Sequence, residues 1–209
     1  MTLYKPRRKA SYEKSSHSRF DVPSFFNMIS IPLTSLQLQY SLLDRRPEKR
    51  MVDLAARHDF ALFCYGTVAG GFLSDRWLGK TEPEHPLENR SLTKYKLIID
   101  DLGGWDLFQA LLETLRKVAD RHATDIATIA SAAMLRRPGV TAVIVGARNR
   151  DHLASNLAIS NVVLSDADLA EIETALAGAR ELEGDVYTLE RDRTGRHGSI
   201  MKYNLNKGE

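Results

Sequence analysis

Pro138-Gly139-Val140-Thr141-Ala142-Val143-Ile144-Val145 is the stretch on which the fold reading turns. From Val140 to Val145 it is a continuous, β-branched, largely apolar run. Such a run suits a strand of a parallel sheet that is buried on both faces. Asp125 to Arg136, just before it, has helical spacing, and Pro138-Gly139 ends that helix. Working further back, Leu107, Ala110, Leu111, Leu115 and Val118 line one face of an amphipathic helix over Asp106 to His122. Phe60 to Tyr65 is a short apolar run that reads as a second buried strand. Leu36 to Tyr40 alternates apolar and polar residues and reads as a third. Between these two, Pro47 to His58 predicts a helix, with Pro47 in its first turn and Met51, Leu54 and Ala55 on one face. Downstream of Val145, Asp151 to Ile159 predicts a helix. Another follows, capped by Ser165 with Asp168 at the capping-box position and running to about Leu176. Strands alternating with helices mean an α/β fold with parallel strands. About three good strands are visible, too few to close an eight-stranded barrel.

Three segments stand outside this pattern. Gly66 to Gly104 is long and turn-rich, with Gly79, Pro83, Pro86 and Gly103-Gly104, and reads as a functional or mobile loop. In residues 1–22, Lys5, Arg7, Arg8, Lys9, Lys14 and Arg19 face only Glu13 and Asp21, without apolar periodicity, so a basic, disordered tail is expected. Its abundance of Arg and Ser also suits a mitochondrial transit peptide, against which Pro6 and the missing apolar face count. Ser24 to Ser30 suggests a short helix end. The stretch from Gly184 is charged and irregular. The expected organisation is therefore a tail over 1–22, an α/β unit over 23–180 and a C-terminal tail over 181–209.

Composition narrows the function classes. Of 209 residues, 43% are hydrophobic, enough for a real core, and 27% are charged with a formal net charge of +2. A general nucleic-acid binder would show a strong basic excess, so no nucleic-acid partner is expected. Cys64 stands alone and rules out an intrachain disulfide, which fits a reducing compartment. No apolar run approaches the roughly 20 residues that span a bilayer, and no secretory h-region follows Met1. A cytoplasmic protein without a membrane partner is the expectation.

Two stretches carry a family resemblance. One is Leu36-Gln37-Leu38-Gln39-Tyr40-Ser41-Leu42-Leu43, followed by Cys64-Tyr65-Gly66-Thr67-Val68-Ala69-Gly70-Gly71-Phe72-Leu73. The other is Val145-Gly146-Ala147-Arg148-Asn149, with His152 and Asn156 on the next helix, then Leu164-Ser165-Asp166-Ala167-Asp168-Leu169. In order and spacing these resemble strands six to eight of an aldo/keto reductase barrel. The resemblance runs from about Ser24 to Leu176, and Gly184 to Asn206 is similar to the tail of some bacterial and fungal members. It implies a partial (β/α)8 TIM barrel, roughly the C-terminal half. Two uncovered sheet edges would then invite self-association.

The resemblance also implies NADPH, with NADH not excluded, bound where the strands end at their carboxyl side. Gln37 aligns with the residue that hydrogen-bonds the nicotinamide carboxamide, which needs both a donor and an acceptor. Outside the family context it is a polar residue on a half-buried strand. Tyr65 aligns with the aromatic that stacks on the nicotinamide ring, and otherwise reads as core packing. Gly66, Val68 and Gly70 align with the pyrophosphate loop, where glycine lets backbone N–H groups approach phosphate. Gly66-Thr67 stands where many relatives have Ser-Pro. Gly146, Ala147 and Arg148 align with the adenosine-phosphate loop, and a guanidinium there suits a 2′-phosphate. Arg148 otherwise reads as a solvated charge. His152 aligns with a position often Arg in relatives that prefer NADPH. Asn156 aligns with an adenine contact, and the helix starting near Asp151 adds its N-terminal dipole.

Family members reduce a small-molecule carbonyl to an alcohol. Their proton comes from a tyrosine whose pKa is lowered by a lysine paired to an aspartate, with a histidine orienting the carbonyl. All four belong to the family's N-terminal half, and no segment here resembles it. Tyr4, Lys5, Tyr12, Lys14 and His17 have the right types but no strand to hold them, so no catalytic residue is assigned. The alternative is an inactive remnant or weak nucleotide-binding module. Relatives occur in bacterial metabolism and in fungal specialised-metabolite pathways, and nothing in this sequence selects a substrate. The sequence carries no Walker loop, G-x-S-x-G elbow or G-x-G-x-x-G after a strand, and the six histidines lack metal-ligand spacing. Asp100-Asp101 reads as a solvated turn pair, and His197 receives no role.

Overall fold

The structure is a computed structural model that describes residues 2–4 (backbone only), 33–147, 150 and 152–201. Arg148, Asn149, Asp151, the Ser24–Ser30 segment and most of the basic N-terminal stretch lie outside the described residues. Four strands form one sheet: β1 (Thr2–Tyr4), β2 (Ser35–Gln39), β3 (Ala61–Tyr65) and β4 (Val140–Ile144), in the order β1-β4-β3-β2. β2, β3 and β4 run parallel, as the sequence predicts, and β1 pairs antiparallel with β4. That fourth strand departs from the expectation that residues 1–22 hold no regular element. The β4 edge is open to pairing, and Thr2–Tyr4 takes it through main-chain hydrogen bonds, which need no apolar periodicity.

Eight α-helices surround the sheet among the described residues: α1 (Met51–Arg57), α2 (Arg90–Leu102), α3 (Trp105–Arg121), α4 (Ile126–Leu135), α5 (His152–Ala158), α6 (Asp166–Ala175), α7 (Thr188–Arg191) and α8 (Arg196–Ser199). Leu38, Leu62, Cys64 and Val143 are fully buried. Their chain neighbours on the opposite face, Gln37, Phe63, Tyr65 and Ile144, are partly or fully exposed. The sheet is thus packed closely on one side and left partly open on the other. α4 is apolar almost all round and accordingly buried nearly all round. Asp125 caps it, accepting from Thr128 N at 2.7 Å.

Several expectations are corrected. Gly66 to Gly104 is not one long loop. It contains α2, capped by Asn89, whose side chain accepts from Leu92 N, and closed by Gly103 at φ +157°. Leu92, Tyr95, Ile98, Ile99 and Leu102 fall at helical spacing and are buried. The flanking glycines and prolines mask a helical periodicity that the sequence carries. The rest of the segment is held by Phe72, Trp77, Trp105 and Phe108, whose ring centroids lie 4.8–6.1 Å apart. Trp105 Nε1 donates to Lys80 O at 2.8 Å. The buried stripe of α3 is rotated from the predicted one: Trp105, Phe108, Leu112 and Ala119 join Leu111, Leu115 and Val118, while Ala110 is exposed. The helix predicted over Pro47 to His58 is broken into a 3₁₀ turn (Arg46–Glu48) and α1, because Arg50 leaves helical geometry at φ −142°. Ser165 and Asp168 form the predicted capping box.

Candidate cofactor site

The carboxyl ends of β2, β3 and β4 lie side by side, with Tyr65 at the end of β3 and Gly146 and Ala147 just beyond β4. Gln37 pairs in register with Phe63, and Gln39 with Tyr65, which in turn pairs with Ile144. Gln37 and Gly70 are exposed; Tyr65, Gly66 and Val68 are half-buried. Gly146 and Ala147 leave β4 exposed, and His152 is exposed at the start of α5. Asn156 is buried, and its Nδ2 donates to Gly146 O at 3.1 Å. Its visible work is to hold the loop after β4. Arg148 lies outside the described residues.

The glycine loop after β3 has a neighbour the sequence did not suggest. Gly66 (φ +73°) and Gly70 (φ +65°) are both pressed against Tyr95 of α2. A Cβ on Gly66 would sit 2.1 Å from Tyr95 Oη, and one on Gly70 would sit 2.8 Å from Tyr95 Cδ2 and from Ser91 Oγ. Close packing against Tyr95 is therefore one reason for glycine at both positions. Thr67 is buried with its hydroxyl 2.9 Å from Ser131 Oγ, tying the loop to α4.

Beside this edge lies a buried polar network. Gln39 Nε2 donates to Asp44 Oδ2 at 2.6 Å, and Arg46 donates to Asp44 through Nε (2.8 Å) and Nη2 (2.6 Å). Glu190 of α7 closes the network on Arg46. Burial alone would raise Glu190, but the Arg46 hydrogen bonds and charge outweigh it and hold the carboxyl below its ordinary range. Gln39 Oε1 is buried without a hydrogen-bond partner. A cleft of about 370 Å³, lined in part by Leu42, Arg46, Leu102, Arg180 and Leu182, adjoins the network on Arg46 and includes none of the candidate cofactor residues.

The stretch from Gly184 is not irregular throughout. It forms α7 and α8 and folds onto the body. Tyr187 Oη donates to Gln37 O at 2.7 Å, and buried His197 lies with Nε2 2.6 Å from Asp101 Oδ2. Asp100 and Asp101 sit on α2, not in a turn, and Asp100 also bonds the buried Lys96. Sequence reasoning missed Glu190, Tyr187 and His197 because their partners lie roughly 100 or more residues away, where no local pattern points to them.

No described tyrosine with a resolved shift is tuned toward easy proton release. Burial pushes up the Tyr40, Tyr65 and Tyr95 hydroxyls, with Glu48, Tyr187 and Asp44 respectively adding to the rise. The Lys94 ammonium stands over the Tyr95 ring at 5.6 Å from the centroid. Burial lowers its pKa against the pull of Glu190 and Asp44. No helix of the described residues is long and apolar enough to cross a membrane.

Comparison with known proteins agrees with this architecture. A stretch of 103 residues is 29% identical to flagellar radial spoke protein 5 of Chlamydomonas reinhardtii, covering 48% of this chain and 19% of that protein. Over 152 residues the chain is 28% identical to L-glyceraldehyde 3-phosphate reductase of Escherichia coli O157:H7, covering 70% of this chain and 42% of the relative. The chain thus spans under half the length of the curated relatives it matches. Among solved structures, glycerol dehydrogenase from Gluconobacter oxydans superposes with a TM-score of 0.61 at 18% identity, covering 74% of this chain and 46% of that one, a likeness of fold. Residues 19–177 match the aldo/keto reductase family, and the chain belongs to that family.

Proposed function

We propose that this chain is the cofactor-holding part of an NAD(P)H-dependent carbonyl reductase, binding NADPH along the carboxyl ends of β2, β3 and β4. The observation that supports it is the parallel pairing of three adjacent strands, which puts Tyr65 and Ile144 level at their carboxyl ends, Gly146 two residues beyond, and Gln37 two positions before that level on the neighbouring strand. The residues fit a dinucleotide in part. The Gly146–Ala147 backbone and His152 are open to solvent beside the end of β4, suited to the adenosine phosphate, with Arg148 as the cation of that loop. Gln37 offers an exposed amide to a carboxamide, and Tyr65 a ring to stack on. When bound, the cofactor supplies a hydride to a carbonyl carbon. The chain's own residues orient it and cover one face of the nicotinamide.

Burial raises the hydroxyls of Tyr40, Tyr65 and Tyr95. A tyrosine poised for transfer needs the opposite shift. In this reading the acid comes from outside the described residues, in the same polypeptide or a partner. The second reading, an inactive remnant that binds nucleotide weakly, is favoured by the same raised hydroxyls and by Tyr95 filling the space over Gly66 and Gly70.

Two measurements test this. Fluorescence titration of the purified chain with NADPH is expected to saturate, and absence of saturable binding at millimolar cofactor would remove the binding role. Incubation with NADPH and an aromatic aldehyde is expected to give no turnover. Turnover by the chain alone would show that the proton source has been misplaced.

A further inference from the structure

We propose that Tyr187 gates the nicotinamide position: its side chain stands at the edge that the cofactor's nicotinamide needs, and the two occupy it in turn. The inference rests on reading Gln37 and Tyr65 as nicotinamide contacts, and adds a residue to that site from the C-terminal tail.

The geometry is as follows. Main-chain pairing fixes which way Gln37 points. Thr34 O accepts from Ala61 N and Tyr40 N donates to Tyr65 O, so even-numbered residues of β2 face β3. Alternation along the strand turns the Gln37 carbonyl to the open side. Tyr187 Oη caps that carbonyl at 2.7 Å. Tyr187 also adds, after burial, to the rise of the Tyr65 hydroxyl. The Arg191 guanidinium stands 5.5 Å from the Tyr187 ring centroid. One tail residue thus bonds the main chain of Gln37, whose side-chain amide is the candidate carboxamide contact.

The tail is built so that this contact can open without unfolding the protein. Upstream, Lys49 Nζ donates to Leu182 O at 2.5 Å. Downstream, Glu190 is locked to Arg46 and His197 to Asp101. Between Leu182 and Glu190 the chain is mostly exposed or half-buried. Two residues of this span adopt left-handed backbone, Gly184 at φ +71° and Tyr187 at φ +67°. For Tyr187 that conformation is strained. Arg50 pairs with Asp185 at 3.7 Å, and Val186 and Tyr187 pack, partly buried, against the core. Local opening breaks these few contacts while the anchors on either side hold.

The test compares the intact chain with Tyr187→Phe, which removes the hydroxyl, and Tyr187→Gly, which also removes the ring and the strain. Each is titrated with NADPH and with 2′-phospho-ADP-ribose, which has everything but the nicotinamide. Thermal melts confirm that both variants are folded. The expected result is NADPH binding at least about fivefold tighter in both variants, the size of one hydrogen bond's net worth, with binding of the nicotinamide-free analogue unchanged. If all three proteins bind the analogue and the variants bind NADPH no more tightly than the intact chain, the gate is wrong and the cofactor reading stands. If no protein binds either compound, the cofactor reading falls and takes the gate with it.

Discussion

The Glu190 carboxylate meets the Arg46 guanidinium with Oε1 2.8 Å from Nη2 and Oε2 3.1 Å from Nη1, across 144 positions of sequence, with both side chains buried. Arg46 keeps Asp44 as a second partner, so loss of Glu190 leaves no bare buried charge on the arginine. Glu190→Gln is expected to lower stability by about 1–3 kcal/mol, the usual cost of losing a charged hydrogen bond. Urea unfolding measures this. Limited trypsin digestion should cut sooner at Arg191 and Arg193 in the variant. Unchanged digestion would mean that the tail is not fastened by this pair.

Asp168 gives the protein a built-in acid sensitivity. Burial would raise its carboxyl, but His122, Arg121 and the Ser165 cap outweigh burial and hold it well below the ordinary range. A depressed carboxylate stabilises the fold fully above its unfolded pKa, near 4, and that contribution is lost as pH falls through the depressed folded value. The unfolding midpoint should therefore fall steeply below about pH 4. Asp168→Asn should cost about 1–2 kcal/mol at neutral pH through the weakened cap, and should flatten the acid limb. An equally steep limb in the variant would rule out this carboxylate as its source.

Gly66→Ala combines a left-handed backbone with a collision at Tyr95 Oη. The expected cost is about 2–4 kcal/mol, from backbone strain and overpacking together. In a Tyr95→Phe background the hydroxyl is gone and the overpacking share should return. Equal costs in the two backgrounds would show that Tyr95 does not set this constraint, a standard use of a double-mutant cycle.

Ile98 is fully buried on α2. Ile98→Ala should cost about 2–5 kcal/mol, as for any large core side chain. A mobile-loop residue would cost close to nothing, so chemical denaturation separates the helix from the loop that turn signals alone suggested.

Leu153 and Leu157 of α5 and Val163 after it are exposed at 45%, 53% and 77%. Apolar side chains left in water favour association. Sedimentation at micromolar concentration is expected to show dimers or larger species. A monodisperse, cooperatively melting monomer would count against this.

The sequence by itself determined the parallel strands, the α3 to α6 succession and the capping box at Ser165. Each rests on residues within about ten positions of one another, where periodicity and cap chemistry act. It also placed Gln37 on a strand, Tyr65 at a strand end, Gly146 just past one and Asn156 on the following helix, although their roles came from resemblance. What only the tertiary structure decided is the use of those residues against distant partners. Tyr95 fills the glycine loop, Asn156 holds the Gly146 carbonyl, Tyr187 caps Gln37, and Glu190 completes a network with Arg46. α2 was locally legible, but its apolar stripe was masked by the glycines and prolines around it. The physical reason is that hydrogen bonds and packing contacts between different elements, two of them across 144 and 150 positions, leave no period in the chain. They depend on where the sheet places strand ends and on which side chains the C-terminal tail brings to them.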